Sequence, residues 1–286
     1  MNLNFKDSIF DVRSIEESVI NLYDNGYKQG VSTGYYSVDR HYTVRTGEIT
    51  IVTGIPGHGK SEFIDALMMN IAMGEDWKFA IYSPENQPLE RHAAKLIEKK
   101  VGKPFNKDIR TCLSKYELST TLNEINKHFT FIYPKNDDEH KIDIILNLCK
   151  VVVMNKGIKG LLIDPWNELD HSRPHGLSET EYISQCLSKI RRFARLHDIH
   201  IWLIAHPTKL MRDKDGKYPV PSPYDISGSA HWRNKADNCI TVWRNVQNHD
   251  SDVEIHVQKV RFKEIGSVGM AKLRYNYANG RYSDSK

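Results

Sequence analysis

The chain has 286 residues, of which 40% are hydrophobic and 27% are charged, and its formal net charge is +4. This balance excludes a disordered or fibrous protein and allows one sizeable hydrophobic core. No run approaches the roughly 18 apolar residues of a membrane-spanning helix, and the N-terminus lacks the apolar centre of a signal peptide. We therefore expect a cytoplasmic protein with no membrane partner. The small positive charge permits a nucleic-acid partner without arguing for one.

The beginning of the chain is set apart from the rest. Residues 14–23 carry apolar side chains at helical spacing, which predicts an amphipathic helix. Such a helix must pack either on its own domain or on a neighbouring subunit. Because the glycine-containing tether Asn25–Thr33 follows it, we favour the neighbouring subunit. We accordingly predict a linker helix for subunit exchange in residues 1–30 and the main domain in residues 31–286.

Apolar, β-rich runs alternate with helical patterns from Gly47 onward, which is typical of βαβ units and a parallel sheet. The predicted strands are Ile49–Thr53, Phe79–Ser83, Phe129–Tyr133, Gly160–Asp164 and Ile199–Ala205. The predicted helices are Lys60–Met73, Pro88–Lys99, Ile142–Lys156 and Glu179–Leu196. Later strands are separated by turns and are predicted at Ile240–Arg244, Val253–Arg261 and Met270–Tyr277. We predict an α/β fold with a mostly parallel central sheet flanked by helices and antiparallel strands at the C-terminal end.

The run from Gly54 to Ser61 matches the phosphate-binding pattern GxxxxGK[ST] and stands between a predicted strand and a predicted helix. Its glycines let backbone N–H groups turn toward phosphates, and the helix N-terminus adds positive potential. Lys60 would contact the β- and γ-phosphates of a nucleotide, and the Ser61 hydroxyl would bind Mg²⁺. The expected nucleotide-binding residues of this segment are Gly54, Gly57, Gly59, Lys60, Ser61 and Glu62.

Two acidic residues at strand ends complete a hydrolytic site. Asp164 ends the apolar run that begins at Gly160, where proteins with this loop carry a second metal-holding carboxylate, so we assign it to Mg²⁺. Glu85 follows the next strand after the phosphate-binding helix, and carboxyl ends of strands line the ligand crevice in open α/β sheets. We therefore predict that Glu85 orients or deprotonates the attacking water. A solvated loop acid is the alternative.

These three elements, in this order, resemble the RecA-like core of the superfamily 4 hexameric replicative helicases, a group that includes DnaB-type helicases, phage primase-helicases and Twinkle-like proteins. Four further stretches sharpen the resemblance: Ser32–Asp39 with Thr46–Glu48, Ser83–Glu85, Ala205-His206, and Gly228–Asp237. The resemblance covers roughly residues 30–282. It implies a RecA-like P-loop fold and a DNA helicase that hydrolyses ATP, or another NTP or dNTP, with Mg²⁺. It also implies a homo-hexameric ring, single-stranded DNA as a partner, and a primase or primase domain as a further partner.

The resemblance assigns roles to five residues outside the phosphate-binding loop. His206 corresponds to the sensor of the γ-phosphate. Lys259-Val-Arg261 corresponds to a pair that reaches the nucleotide of the neighbouring subunit, with Arg261 as the arginine finger and Lys259 as its companion. Taken alone, such a pair on a strand is more often a solvated edge. Arg244 and Tyr275 correspond to residues that sandwich the base, although Tyr275 is nearly as well explained as a core aromatic.

The expected DNA contacts fall into two groups, namely cations for phosphates and backbone for close approach. The first group is Lys209, Arg212 and Lys214, and the second is Ser227, Gly228 and Ser229. The three cations lie in a long loop, residues 207–223, that begins directly after the sensor position, which favours DNA over ordinary solubility as their purpose. The basic run 191–195 lies on a predicted helix, and we interpret it as a solvated face.

Two other functions remain open from the sequence. One is a RecA-like strand-exchange ATPase, which would form filaments, and the other is a non-motor P-loop ATPase, which single-stranded DNA would not stimulate. For a ring helicase, the resemblance implies a bacterial or phage-infected cytoplasm, or a mitochondrion if the source is eukaryotic.

Overall fold

The computed structural model describes residues 9–107, 111–214, 216–228, 230–246 and 251–285. Its strands are β1 (Ile49–Thr53), β2 (Phe79–Tyr82), β3 (Phe129–Phe131), β4 (Gly160–Ile163), β5 (His200–Ile204), β6 (Asn238–Trp243), β7 (Asp252–Val260), β8 (Gly269–Tyr275) and β9 (Tyr282–Asp284). They form one sheet in the order β3-β2-β4-β5-β1-β6-β7-β8-β9. The strands from β3 to β6 in that order pair in parallel, and β7, β8 and β9 are added antiparallel. The predicted α/β fold is confirmed.

Helices cover both faces of the sheet. They are α1 (Glu16–Asn25), α2 (Tyr36–Asp39), α3 (Lys60–Glu75), α4 (Leu89–Val101), α5 (Lys115–His128), α6 (Ile142–Lys156), α7 (Glu179–Leu196) and α8 (His231–Lys235). One hydrophobic core joins α3, α4 and α5 to one face, with Phe63 and Leu96 fully buried. The other joins α6, α7 and α8 to the opposite face around Leu187 and Trp232. Among the described residues, no helix has the length and apolarity needed to cross a membrane.

The strongest sequence patterns give the elements as predicted. Strand β1 and helices α6 and α7 begin and end at the predicted residues. A capping box opens α7, because Ser178 Oγ accepts the Glu181 N–H at 3.3 Å and the Glu181 carboxylate accepts the Ser178 N–H at 3.0 Å. All three segments carry a continuous apolar pattern, and α7 adds a start signal at Ser178, so local preference and burial agree.

Helix α5 and strand β9 were not predicted. Only Thr121, Ile125 and His128 of α5 are buried, so its apolar stripe is too narrow to stand out in the sequence. Strand β9 has three residues, of which only Tyr282 is buried. The sequence did offer a start signal for α5, because Ser114 and Glu117 form a capping box at its N-terminus.

Helix α1 forms within the predicted N-terminal segment, and none of its residues is buried. Its apolar side chains, including Val19, Ile20 and Tyr23, are 48%, 52% and 89% exposed. Residues 1–8, which belong to the same predicted linker, lie outside the described residues. The apolar stripe predicted from the sequence is therefore present and uncovered in a single chain.

Candidate nucleotide-binding site

The carboxyl ends of four neighbouring strands form the site. Strands β2, β4, β5 and β1 lie side by side, and all four run in the same direction. The residues that follow them therefore meet at one edge of the sheet. Lys60, Ser61, Glu85 and His206 all line one pocket of about 540 Å³ at this edge. The structure thus brings together residues that are distant in the chain, since Lys60 and His206 are 146 positions apart.

The phosphate-binding loop depends on glycine at two positions. Gly54 has a φ of +148°, and a Cβ there would lie 2.3 Å from the Val242 carbonyl oxygen of β6. Gly59 has a φ of +94° and forms the N-cap of α3. Both are backbone conformations that residues with a Cβ rarely adopt. Any larger residue at Gly54 would push the loop away from the sheet, and the N-terminus of α3 would lose its position for binding an anion.

Lys60 is buried at the base of the loop. Its Nζ donates hydrogen bonds to the carbonyl oxygens of Gly54 at 2.8 Å and Ile55 at 3.2 Å. Burial lowers the pKa of Lys60 to about 8, while the negative charges of Asp164 and Glu85 oppose this shift. The ammonium is therefore only partly compensated where the phosphates are expected, and a phosphate would stabilise it.

Asp164 and Ser61 form a donor set that fits Mg²⁺. Burial raises the pKa of Asp164 to about 6, and the Ser61 hydroxyl hydrogen-bonds to it. The Ser83 hydroxyl and the Asn86 amide also donate to Asp164 Oδ2, at 3.2 and 3.1 Å. A carboxylate beside a hydroxyl offers the hard oxygen ligands that Mg²⁺ prefers, and a divalent cation would offset the burial of the carboxylate charge.

Glu85 and His206 face each other across the pocket. Glu85 Oε1 lies 3.4 Å from His206 Nε2, and the Glu85 side chain is 45% exposed. Burial, and then the charge of Lys60, lower the pKa of His206, so its ring is neutral near pH 7. The backbone N–H of His206 donates to Asn167 Oδ1 at 3.0 Å, and this bond fixes the end of β5. An accessible carboxylate beside a neutral imidazole can bind and orient a water molecule.

Two lining residues of the pocket, Lys95 and Asn86, were missed by the sequence analysis. Lys95 Nζ donates to Asn86 Oδ1 at 3.1 Å and lies 2.8 Å from Glu62 Oε1. Burial tends to raise the pKa of Glu62, but Lys99 and Lys95 outweigh it and lower that pKa to about 2. Glu62, predicted to bind nucleotide, is thus held by two ammonium groups. The spacing of Lys95 and Lys99, one helical turn apart on α4, was the available signal.

The predicted base-binding residues lie beside the loop. The Arg244 guanidinium donates to the Gly57 carbonyl oxygen at 2.8 Å and to the Tyr277 hydroxyl at 3.0 Å. The Tyr275 ring lies 4.9 Å from that of Tyr282 and packs against the core, and burial raises the pKa of Tyr275. The more exposed ring next to Arg244 is Tyr277, which the sequence analysis did not select. These contacts fit the interpretation of Tyr275 as a core aromatic, and its role in binding the base stays a prediction.

The predicted finger residues lie at the opposite edge of the sheet. Lys259 pairs with Cys239, near the start of β6, whereas the phosphate-binding loop follows the far end of the adjacent β1. With a rise of about 3.3 Å per residue, the six residues of β6 put roughly 16 Å between the two edges. Arg261 and Lys259 are therefore not brought together with Lys60 and Glu85 in one chain.

Both finger residues are held at the C-terminal end of α8. Lys259 Nζ donates to the carbonyl oxygens of Arg233 at 2.6 Å and Ala236 at 2.7 Å. The Arg261 guanidinium donates to the Ala236 carbonyl oxygen at 3.3 Å and pairs with Asp237 Oδ1 at 3.2 Å. Cations are favoured at this end of a helix because its last carbonyl groups are unpaired.

The interpretation of the basic run on α7 as a solvated face is wrong for Arg191. Its guanidinium lies 3.1 Å from the buried carboxylate of Asp237, and that of Arg195 lies 3.9 Å from the same oxygen. The Arg192 side chain is exposed, as predicted. Helical spacing shows which residues share a face but not that a buried acid from another element lies below it.

The predicted DNA-contact residues lie on the connection from β5 to β6. Lys209, Arg212 and Lys214 are exposed, and Arg212 lies over the Tyr218 ring at 4.6 Å. The Gly228 carbonyl oxygen accepts from Thr180 at 2.8 Å on α7. The Ser227 carbonyl oxygen accepts from Trp232 Nε1 at 2.9 Å. Ser229 lies outside the described residues.

A RecA-like sheet with a phosphate-binding loop after β1, a carboxylate after β4 and an acid after β2 defines a P-loop NTPase. The chain belongs to the DnaB-like helicase C-terminal domain family, whose family model matches residues 30–284. The Twinkle homolog protein, chloroplastic/mitochondrial, of Arabidopsis thaliana is 42% identical over 287 residues. That alignment covers 97% of this chain but only 40% of the relative's length.

Solved structures show the same fold. One solved ATPase domain superposes with a TM-score of 0.78 at 20% identity and covers 96% of this chain and 100% of that one. A DnaB-like replicative helicase, from a structure that describes its interactions with primase, superposes with a TM-score of 0.77 at 20% identity. Here the match covers 95% of this chain and 68% of the other.

Lys60→Ala and Glu85→Ala are expected to impair the site in different ways. Without the Lys60 ammonium a phosphate contact is lost, so nucleotide binding should weaken. Without the Glu85 carboxylate the phosphate-binding loop is intact, so binding should hold while turnover falls about 10²-fold, the scale of general-base loss. Fluorescent-nucleotide titration and steady-state ATPase assays measure the two quantities.

Glu90→Ala removes an exposed carboxylate on α4 and should change neither nucleotide binding nor turnover. Equal losses of affinity in the first two variants would remove Glu85 from this role.

Proposed function

We propose that this chain is the motor of a ring-shaped replicative DNA helicase. It hydrolyses ATP, or another NTP or dNTP, between adjacent subunits and uses the free energy to move along single-stranded DNA and unwind duplex. Membership of the DnaB-like helicase family supports this function. The observation that carries it is the position of Arg261, which lies at the sheet edge opposite its own nucleotide pocket.

Within one chain, the pocket supplies most of the hydrolytic site. The loop backbone and Lys60 bind the phosphates, and Ser61 and Asp164 hold Mg²⁺, which when bound neutralises charge on the phosphate oxygens. Glu85 accepts a hydrogen bond from the attacking water and takes its proton as the water oxygen bonds to the γ-phosphorus. The bond to the β-phosphate oxygen breaks, giving NDP and phosphate. His206, at 3.4 Å from Glu85, senses the γ-phosphate from the end of β5.

The remaining cation comes from the neighbouring subunit. Charge builds on the equatorial phosphate oxygens during transfer, and a planar guanidinium stabilises it, which accelerates known examples by about 10³–10⁵-fold. Arg261 cannot supply this charge to its own pocket because the two lie at opposite ends of the strands. A ring places the finger edge of one subunit against the pocket edge of the next, with Lys259 beside the finger. The site is then complete only between subunits.

Mixing two inactive variants should restore activity. Arg261→Ala keeps its own pocket and should bind nucleotide yet hydrolyse it poorly, whereas Lys60→Ala keeps its finger but has a defective pocket. Mixed rings contain interfaces at which an intact pocket meets an intact finger, so the ATPase rate should peak at intermediate mixing ratios. Arg261→Lys should not replace the wild-type finger, since a point-like ammonium lacks the bidentate fork.

The control for mixing is co-assembly, measured by size-exclusion chromatography of differently tagged subunits. Activity of the wild-type chain should also rise more steeply than linearly with concentration, because the site requires two subunits. A flat, inactive profile across all ratios, with co-assembly confirmed, would show that Arg261 does not act on a neighbour. The ring-motor proposal would then lose its main support.

Contact with single-stranded DNA is proposed for the loop that follows His206. If Lys209 and Lys214 neutralise phosphates, log affinity falls with log salt by about 0.7 per contact. Lys209→Ala with Lys214→Ala should therefore flatten the slope by about 1.4. It should also leave ATPase activity without DNA unchanged. Fluorescence anisotropy over a salt series measures the slope.

The control variant combines Lys135→Ala with Lys150→Ala, two exposed lysines outside the loop, and should leave the salt slope unchanged. An unchanged slope in the loop variant would show that these lysines do not touch DNA.

We further propose that α1 docks on the adjacent subunit of a homo-hexameric ring. Its uncovered apolar side chains support this role. Electron micrographs with nucleotide and single-stranded DNA should show rings for the full chain and monomers after deletion of residues 1–28. Val19→Ser with Ile20→Ser, at full length, should weaken assembly in the same direction. Rings formed equally well by the truncated chain would contradict the docking, and filaments would favour a RecA-like strand-exchange ATPase.

A primase, or a primase domain, is the proposed further partner, because the DnaB-like replicative helicase with the same fold interacts with primase. Co-migration of this chain with a primase on a sizing column tests the partnership.

The proposed compartment is the cytoplasm of a bacterial or phage-infected cell, or an organelle for a eukaryotic source, as in the name of the Arabidopsis relative. Localisation of a fluorescently tagged chain tests it.

A further inference from the structure

The buried carboxylate of Asp237 is shared by three arginines from two elements. Its Oδ1 atom lies 3.1 Å from the Arg191 guanidinium, 3.2 Å from that of Arg261 and 3.9 Å from that of Arg195. Its Oδ2 atom accepts the N–H of Ile49, at the start of β1, at 3.1 Å. One negative charge thus lies beside three guanidinium groups, and the nearby Lys259 ammonium also favours it. This excess means that one arginine can leave while the carboxylate remains paired.

The three arginines differ in how freely they can leave. Arg191 and Arg195 project from the 18-residue helix α7, which packs against the sheet. Arg261 follows the end of β7 at the edge of the sheet, and its remaining hydrogen bond, to the Ala236 carbonyl oxygen, is long at 3.3 Å. Lys259, in contrast, donates to three carbonyl oxygens of the α8 terminus. Of the two proposed finger residues, Arg261 is therefore the one able to move.

We infer that Asp237, Arg191 and Arg195 form an exchange site that holds Arg261 between turnovers and releases it to the phosphate of the neighbouring subunit. Leaving a buried carboxylate without a partner is strongly unfavourable. The two α7 arginines remove that penalty, since they pair with Asp237 as Arg261 departs. The guanidinium then exchanges a carboxylate for a phosphate, two anions that fit the same bidentate donor. Asp237, Arg191 and Arg195 are positioning residues that act through Arg261, so the inference rests on the proposed function.

The first test concerns folding and does not depend on hydrolysis. If the arginines substitute for one another at Asp237, Arg261→Met alone and Arg191→Met with Arg195→Met should each lower the melting temperature only slightly. The triple variant should lower it by clearly more than the sum, because the buried carboxylate then loses all three partners. Differential scanning calorimetry of the full chain measures this. Strict additivity of the two changes would overturn the exchange site.

The second test concerns turnover. In Arg191→Met with Arg195→Met, release of Arg261 would leave Asp237 without an arginine partner, so the finger should stay in place. We expect kcat with single-stranded DNA to fall about fivefold or more, within the range of coupling between groups of one ion-pair network, while nucleotide affinity is unchanged. Adding Asp237→Asn should restore kcat, because the amide keeps an oxygen for the Ile49 N–H but no longer retains the guanidinium. Arg192→Met, the exposed neighbour on the same helix, is the control and should match the wild type.

The outcomes separate this inference from the function on which it rests. If mixing Arg261→Ala with Lys60→Ala restores activity but the α7 double variant turns over normally, the finger acts on its neighbour and the exchange site is wrong. If the double variant is slow and Asp237→Asn slows it further, Asp237 has a structural role only, which also overturns the inference. If melting temperatures show the expected excess loss while mixing restores nothing, the ion-pair cluster exists but the proposed function of Arg261 fails.

Discussion

The parallel direction of the central strands is the constraint on which the rest of the structure depends. Because β2, β4, β5 and β1 are neighbours and end at the same edge, every loop that follows them opens into one crevice. Each of these strands positions one proposed role, with phosphate binding after β1, water activation after β2, metal binding after β4 and phosphate sensing after β5. If one of these strands ran antiparallel, its functional residue would move to the other edge. The antiparallel strand β7 does so, and it carries Arg261 away from the pocket.

Under the proposed function, this division between two edges leaves the site of a single chain incomplete. The pocket edge holds a buried lysine, a buried carboxylate and an accessible acid, but the Arg261 guanidinium lies at the opposite edge of the sheet. If Arg261 serves the neighbouring subunit as proposed, nucleotide turnover requires contact between subunits. In one chain, Lys259 and Arg261 are held by the carbonyl groups of α8 and by Asp237. The proposed function requires Arg261 to exchange these contacts for a phosphate of the neighbouring subunit.

The site shows where sequence reasoning is strong and where it fails. Glycines at fixed spacing, followed by Lys60 and Ser61, identify the phosphate-binding loop from a short segment alone. The glycines allow the backbone to turn, Lys60 supplies a positive charge, and Ser61 is the predicted metal ligand. Asp164 and Glu85 follow from a topological rule about strand ends. Lys95 and Asn86 could not be found in this way, because Lys95 on α4 contacts Glu62 on α3, and Asn86, after β2, contacts Asp164, after β4. The basic run on α7 was misinterpreted at Arg191 for the same reason, because its acidic partner is 46 residues away in the chain.

The sequence by itself determined the class of fold, the phosphate-binding loop and the acids at the strand ends. These features depend on short segments whose hydrophobic pattern, glycines and charges act locally. Only the tertiary structure decided that Tyr277 stands beside Arg244, that Asp237 pairs with three arginines, and that the finger and the pocket lie at opposite edges. Each of those facts depends on which strands are neighbours and in which direction they run. The sheet fixes these relations through pairing between distant segments, and no local pattern in the chain records them.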